Sequence, residues 1–448
     1  MTSPLTSGPD QPETATPKSR LVVASLMGTT IEYYDFFLYG TAAALVFNTQ
    51  FFPSDNAFIS TLMAFSTFAV GFLTRPIGAA VFGHYGDRLG RKQTLVVALT
   101  LMGLSTFLIA LLPTYGAVGV LAPVLLVLLR VVQGFAMGGE WGGAILLMTE
   151  NVDPRRRGFW ASFPQLGPPL GNLLAAGMLA IFSGVLSEEQ FLSWGWRIPF
   201  AFSAILLIIG LWIRLKIGET KAFEQQQQAN AGAVRKLPFT ILMTKYRREL
   251  LIAAGFRVGS SAGYYVFAIY ILQYATDVGG METGLILVAL LFNSVVEAFV
   301  VPFSGWLSDK VGRRPIFCAA AIVTVPYVFF MFAMVDGHHT AGVVVAVVFA
   351  GAIHGAFSGV EGAYFSELFD TEVRYSGIAI GFNIGAVLGG GLTPMIGVML
   401  YAAFGTSHAI SIYVSVLAML TLVAALAAGE TVQRSVTPPT RTRAVELT

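Results

Sequence analysis

The sequence predicts an all-α membrane protein, with twelve transmembrane helices in two parallel-repeat six-helix bundles. Three observations carry this. Of the 448 residues, 55% are hydrophobic and only 12% charged, about half the charged share of a soluble domain, and the mean hydropathy is +0.71. Twelve apolar stretches approach or exceed the roughly 20 residues that a helix needs to cross a bilayer. Two pairs of polar motifs recur, one copy in each half of the chain. So apolar a composition excludes an ordinary cytosolic enzyme and a disordered chain. A net charge of +2 is too balanced for a nucleic-acid binder. The single cysteine, Cys318, supplies neither an internal disulfide nor a thiolate zinc cluster.

The stretches are 21–47, 57–82, 93–112, 119–149, 158–184, 197–217, 250–276, 283–305, 315–335, 341–367, 376–402 and 407–428. Whole helical turns within them are apolar on every side, unlike the alternating strands of an outer-membrane barrel. Residues 1–20 are polar and carry no apolar core ahead of a cleavage site, so they are expected to be a disordered cytoplasmic tail rather than a signal peptide. Residues 218–249 form a polar linker between bundles 21–217 and 250–428, and 429–448 is a second short tail. With both termini inside, Arg75, Arg130 and Arg257 fall within spans and Arg197 lies at an outer end. Every other Lys and Arg is then cytoplasmic, which predicts orientation in a cell or inner membrane.

The first motif reads Gly83-His-Tyr-Gly-Asp87-Arg88-Leu-Gly90-Arg91-Lys92 after span 2. It returns as Gly305-Trp-Leu-Ser-Asp309-Lys310-Val-Gly312-Arg313-Arg314 after span 8. The second pairs Glu150 with Arg157 after span 4 and Glu367 with Arg374 after span 10, each seven residues apart. The two intervals between copies are nearly equal, so the halves are parallel repeats, an arrangement typical of transporters with a site between the repeats near the midplane. Glycines permit tight turns, and the Asp can accept from N–H groups at a neighbouring helix start. Read together, Gly83, Asp87, Arg88, Gly90, Arg91, Glu150, Arg157, Asp309, Arg313, Glu367 and Arg374 form a cytoplasmic gate that breaks on inward opening. Topology and folding alone are the alternative role.

These paired loops and the six-plus-six layout resemble the major facilitator superfamily over nearly the whole chain. Four local segments resemble its metabolite/proton symporter branch, which includes carriers for oxoglutarate, citrate, shikimate and proline/betaine. They are Gly28-Thr-Thr-Ile-Glu32-Tyr-Tyr-Asp35-Phe36, Arg75-Pro76-Ile-Gly78, Arg130-x-x-Gln133-Gly134 with Gly139-Glu140-Trp141-Gly142-Gly143, and Glu367-Leu-Phe-x-x-x-x-Arg374-Tyr-x-Gly377. The resemblance implies that spans 1, 4, 7 and 10 line a central cavity.

Ionisable residues in mid-membrane cost about 2.5–3.5 kcal/mol on insertion scales and mark pathways. Here they are Glu32, Asp35, Arg75, Arg130, Glu140, Arg257, Glu297, His354 and Glu361, most of them in spans 1, 4, 7 and 10. Helical spacing puts Glu32 with Asp35, Arg130 with Gln133, Arg257 with Tyr264, His354 with Glu361, and Asn293 with Glu297 on shared faces. Asp35 is the first candidate for the proton site, alternating between a protonated form and a pair with Arg130. Analogy with other proton symporters of the superfamily supports this pairing, and a fixed ion pair is the alternative. Glu32 is the second carboxyl for the proton, or a binder of a substrate cation. Arg257, Arg130, Gln133, Tyr264, Asn293 and Glu361 are the candidate substrate ligands, since a guanidinium holds a carboxylate through parallel bonds. Arg75 reads as structural, able to snorkel, and Glu140 as part of the cytoplasmic half of the pathway.

The expected function is therefore proton-coupled uptake of a mono- or dicarboxylate. A zwitterion such as betaine or proline is the alternative. The short C-terminal tail lacks the heptads of some osmoprotectant carriers, which favours organic acids. An antiporting exporter is a further alternative, because Gly167-Pro168-Pro169-Leu170-Gly171 in span 5 matches part of an exporter signature that Asn172 then breaks. The proton is the only cofactor-like species expected, with no metal. The expected partners are a small organic solute and the bilayer, with no nucleic acid, and a monomer is expected. No catalytic cluster or phosphate-binding loop supports an enzyme or an ATP-driven pump.

Overall fold

A computed structural model describes residues 18–89, 91–138, 140–150, 152–216, 238–370 and 373–432. Among the described residues all regular structure is helical. In the first half, α1 is Lys18–Ala42, prolonged through a π-turn at Ala43–Phe47. α2 is Ala57–Leu73 and, past Thr74, Arg75–Leu89. α3 is Arg91–Ala110, and α4 is Leu121–Met137 followed by Glu140–Glu150. α5 enters through a short turn, Arg157–Ala161, and runs as Gly167–Val185; α6 is Arg197–Lys216.

A short helix, Pro238–Lys245, precedes the second half. There α7 is Arg247–Tyr265 with a π-turn at Val266–Tyr270 and a last segment Ile271–Asp277. α8 is Thr283–Val311, α9 Arg313–Asp336 and α10 Thr340–Leu368. α11 is Arg374–Ala386 with a π-turn at Val387–Gly391 and then Thr393–Phe404, and α12 is Ser407–Ala428.

Among the described residues, ten helices are long and apolar enough to span a membrane, or eleven with the bent pair Glu188–Gly195 and Arg197–Ile213 counted as one. α1 has the length but carries Glu32 and Asp35 in its middle. The repeated motif is itself helical rather than a loop. α8 continues through Asp309 and Lys310 and stops at Gly312, whose φ of +101° suits only glycine without strain. The π-turns of α1 and α7 fall at equivalent places in the two halves, separated by nearly the interval that separates Asp87 from Asp309.

Within the first half, α1 packs on α5 and α6, and α2 and α3 pack on α4; within the second, α7 packs on α11 and α12, and α8 on α10. Close helix approach in lipid depends on small residues. A Cβ on Gly78 would strike the Phe135 carbonyl oxygen of α4, and one on Gly389 the Val258 carbonyl oxygen of α7. Outward side chains are apolar, with Ile208 67% and Phe299 75% exposed, as a lipid-facing surface requires. α7 is the opposite case, 89% buried over its most apolar stretch, and occupies the middle of the molecule.

Candidate transport site

An aromatic wall closes the middle. Phe36 and Phe37 of α1, Phe68 and Phe72 of α2, and Tyr264 and Tyr265 of α7 meet where the halves face each other. Ring centroids are 5.9 Å apart for Phe36–Tyr265, 5.5 Å for Phe37–Tyr264 and 5.3 Å for Phe72–Tyr265, all edge-to-face. Two guanidiniums are tucked against this wall. Arg130 lies 4.1 Å from the Tyr39 ring and 4.8 Å from Phe36. Arg75 lies 4.0 Å from Phe72 and 4.5 Å from Phe36. Neither pairs with a carboxylate among the described residues, and in both, Nε and Nη2 are buried without a hydrogen-bond partner. Desolvated cation–π contacts of this kind contribute about 2 kcal/mol or more.

The expected Asp35–Arg130 pair is not formed in this structure. Asp35 is 1% exposed and turns instead toward α3 and α6. Ser203 donates to it at 2.5 Å, and Thr106 lies nearby. Arg130 is nevertheless connected to it. Its Nη1 donates to Gln133 at 3.2 Å, and Gln133 Nε2 donates to the Thr106 hydroxyl at 2.7 Å. That hydroxyl also reaches the Met102 carbonyl at 3.0 Å. The chain from Arg130 thus ends at a hydroxyl beside Asp35 that donates to the backbone.

The second half holds a paired arginine. Arg257 Nη1 donates to Glu361 at 2.7 Å, and its guanidinium lies 4.3 Å from the Phe382 ring. Glu361 also accepts from Gln165 of the first half at 3.3 Å, and Gln165 accepts from the Trp141 indole at 2.7 Å. Trp141 stacks on Phe382 at 3.8 Å. Arg257 and Glu361 therefore belong to a chain that crosses the interface of the halves. Tyr264 stacks on His354, whose Nδ1 meets Glu297 at 2.7 Å. Asn293 donates to the Val347 carbonyl at 2.7 Å and so ties α8 to α10 rather than facing the centre.

The cavity beside this chain is lined by residues that include Glu32, Tyr33, Arg75, Trp141, Phe382 and Asn383. It leaves about 10 Å³ for the centre of a water-sized sphere, roughly one water. Arg75, read as a snorkelling structural residue, is 3% exposed and faces this cavity. It opens the second segment of α2, just after Thr74. The sequence signal was present in the Arg75-Pro76-Ile-Gly78 segment. Gln165, Thr106 and Ser203 were not singled out, because a lone small polar residue in a span costs little and signals little.

The halves are held together by two different kinds of contact. At the end rich in Lys and Arg, Asp309 accepts from the backbone N–H groups of Gly158 and Phe159 at 2.8 and 2.9 Å, at the helical turn that starts α5. Arg313 pairs with Asp309 at 2.7 Å and with Glu367 at 3.2 Å, and Arg157 reaches Glu367 at 3.9 Å. Glu430, not anticipated, caps this cluster by accepting from the Arg313 and Arg314 amides at 3.0 and 3.1 Å. Arg374 donates to the Phe369 carbonyl at 3.1 Å instead of joining Glu367, and Glu150 is exposed. Gly83, Asp87, Arg88, Gly90, Arg91 and Glu140 lie outside the residues whose side chains are described. Away from that end the contacts between the halves are apolar: Phe72 of the central wall fills the surface of Gly391, and Ile269 that of Gly40.

Two six-helix halves meet at a buried charged centre and are joined at the Lys- and Arg-rich end by an ion cluster. The chain belongs to the major facilitator superfamily. Residues 21–238 match the family model "Sugar (and other) transporter" and residues 250–447 match "Major Facilitator Superfamily". It is 40% identical to the inner membrane metabolite transport protein YhjE of Escherichia coli (strain K12), over 93% of this chain and 96% of that one. It is 38% identical to the shikimate transporter of the same organism, over 88% and 90%. With the proline/betaine transporter of Salmonella typhimurium it shares 34% identity, over 93% and 84%. Among solved structures, the proton:xylose symporter XylE bound to 6-bromo-6-deoxy-D-glucose superposes with a TM-score of 0.73 at 18% identity, covering 92% of this chain and 96% of that one. The chain is a transporter rather than an enzyme.

Proposed function

We propose that this protein takes up a small organic acid, a mono- or dicarboxylate, together with protons across a bacterial inner membrane, with both termini cytoplasmic. The observation that carries the reading is the set of unpartnered guanidinium N–H groups at the centre. Three arginines, Arg75, Arg130 and Arg257, are buried at the centre, and among the described residues only Arg257 makes a salt bridge. Arg75 and Arg130 are held by rings and keep unpartnered N–H groups. Buried guanidiniums with unpartnered N–H groups favour an anionic ligand, and a planar guanidinium suits a carboxylate. The shikimate transporter among the relatives supports the same class. Glu32 in the cavity wall favours the second reading, a zwitterion whose cationic end faces that carboxylate; the proline/betaine relatives support it.

Asp35 carries the proton in this reading. Protonated, it leaves Arg130 to the solute; deprotonated, it competes for Arg130 through Gln133 and Thr106. Proteoliposomes with an imposed inward proton gradient test both parts. Labelled shikimate and a panel of dicarboxylates should accumulate, and proline or glycine betaine should not; accumulation of the latter alone favours the second reading. Asp35→Asn should abolish accumulation but retain counterflow exchange. Undiminished accumulation in that variant would falsify the assignment of Asp35.

A further inference from the structure

One wall of the central cavity has an apolar face with an occupant of its own. Trp141 of α4 is buried, and Phe382 of α11 lies flat on its indole, with ring centroids 3.8 Å and planes 19° apart. The indole is fixed on its other sides. Its N–H donates to Gln165 at 2.7 Å, and Phe365 meets it edge-on at 5.6 Å. With the N–H so engaged, the indole offers a partner its ring face and no hydrogen bond. Trp141 belongs to the first half and Phe382 to the second, so parting the halves uncovers that face. Arg75 borders the same cavity from the first half, and its Nε and Nη2 are buried without a hydrogen-bond partner. A Cβ on Gly138 would strike the Arg75 carbonyl oxygen, so α2 and α4 are locked together here. The guanidinium and the indole therefore keep their spacing, within reach of one small solute, as Phe382 leaves.

We propose that Trp141 determines specificity and that the solute is a monocarboxylate built on a ring. Its carboxylate meets Arg75, and its ring takes the place of Phe382 on the indole. The inference rests on the carboxylate reading given above and narrows it. The occupant that the face holds now is a neutral six-membered ring lying flat, so the face accepts that shape. Among the described residues, one other charged side chain borders the cavity, Glu32. It is a carboxyl, so the second carboxylate of a dicarboxylate finds no cation there. Arg257 does not supply one. The indole fills one face of Phe382, so the guanidinium 4.3 Å from that ring lies on the far face, paired with Glu361. Asn383 directs its amide N–H groups to the Gly138 and Ala379 carbonyls. An indole held in this way is preorganised, and a ring stacked on it gains affinity without ordering a side chain.

The test is equilibrium binding to the purified full-length protein in lipid nanodiscs, by calorimetric titration with shikimate, cyclohexanecarboxylate, succinate and glycine betaine. The two ring acids should bind about tenfold or more tighter than succinate or glycine betaine. Trp141→Leu should weaken the ring acids about tenfold, the scale of one aromatic stack, and leave succinate within about twofold. Gly142→Ala is a second, milder variant. A Cβ there would meet Ile378 and Ala379 at 3.7 and 3.8 Å, so the closed protein accommodates it. It narrows the cavity, and should weaken the ring acids more than succinate. Succinate binding as tightly as the ring acids overturns the inference while the carboxylate reading stands. A ring-to-succinate ratio left unchanged by both substitutions overturns it too, because a structural role would move every ligand alike. Binding of glycine betaine but of none of the three acids would overturn the carboxylate reading itself.

Discussion

Arg75 and Arg130 are held against aromatic rings, and this decides what substitution does to them. A guanidinium stacks as a plane, whereas an ammonium is a compact, strongly hydrated charge. Arg75→Lys keeps the charge but loses the plane between Phe36 and Phe72 and the N–H groups lining the cavity. Losing a charged hydrogen bond costs about 1.5–3 kcal/mol, so the KM for the transported carboxylate should rise about tenfold or more in initial-rate uptake. An unchanged KM would remove Arg75 from the solute site. Thr106→Val deletes the hydroxyl that accepts from Gln133 and donates to the Met102 carbonyl beside Asp35. Counterflow should persist while gradient-driven accumulation falls, and equal loss of both would show that Thr106 serves packing instead. The charged members of the site, Asp35, Arg130, Arg257 and Glu361, were legible because charge in a membrane is scarce and costly. Their partners were not. Gln165 and Thr106 gain meaning only from what folds against them, and Arg75 is buried rather than snorkelling because Phe36 and Phe72 hold its guanidinium.

At the scale of elements, every spanning helix was readable from apolar length, and the repeat from its motifs. The helical continuation of α8 into its motif was hidden, because Asp309 and Lys310 look like loop residues until Gly312 is seen to end the helix. The π-turns left no mark in composition. Close approach between helices yields a direct prediction. Gly78 meets the Phe135 carbonyl with no room for a side chain, and overpacking of this kind costs about 1–3 kcal/mol. Gly78→Ala should therefore lower the melting temperature of the purified protein, whereas an alanine at Gly116, which has open space around it, should leave it unchanged. A similar loss at both positions would contradict the close packing of α2 on α4.

For the whole molecule, the two kinds of contact set how readily the halves part. The Asp309 seal joins the halves through two backbone bonds and the Arg313–Glu367–Arg157 cluster. Asp309→Asn weakens it, and a cysteine placed at Phe159 should react faster with a soluble thiol reagent in the variant, with Cys318 replaced by Ala in both proteins. Equal rates would mean that the apolar contacts of α5 with α8 and α10 suffice to keep that end shut.

The two sets of contacts also differ in thermodynamic kind. Parting Phe72 from Gly391 and Ile269 from Gly40 exposes apolar surface, which carries a positive heat-capacity change. Parting Asp309 and Arg313 from their partners separates charges, which salt screens as water reaches them. The same carrier should therefore respond to two unrelated variables. Cooling weakens the apolar contacts, and ionic strength weakens the charged ones. How firmly the halves of the empty protein hold together becomes a function of temperature and salt, with no solute or proton gradient required.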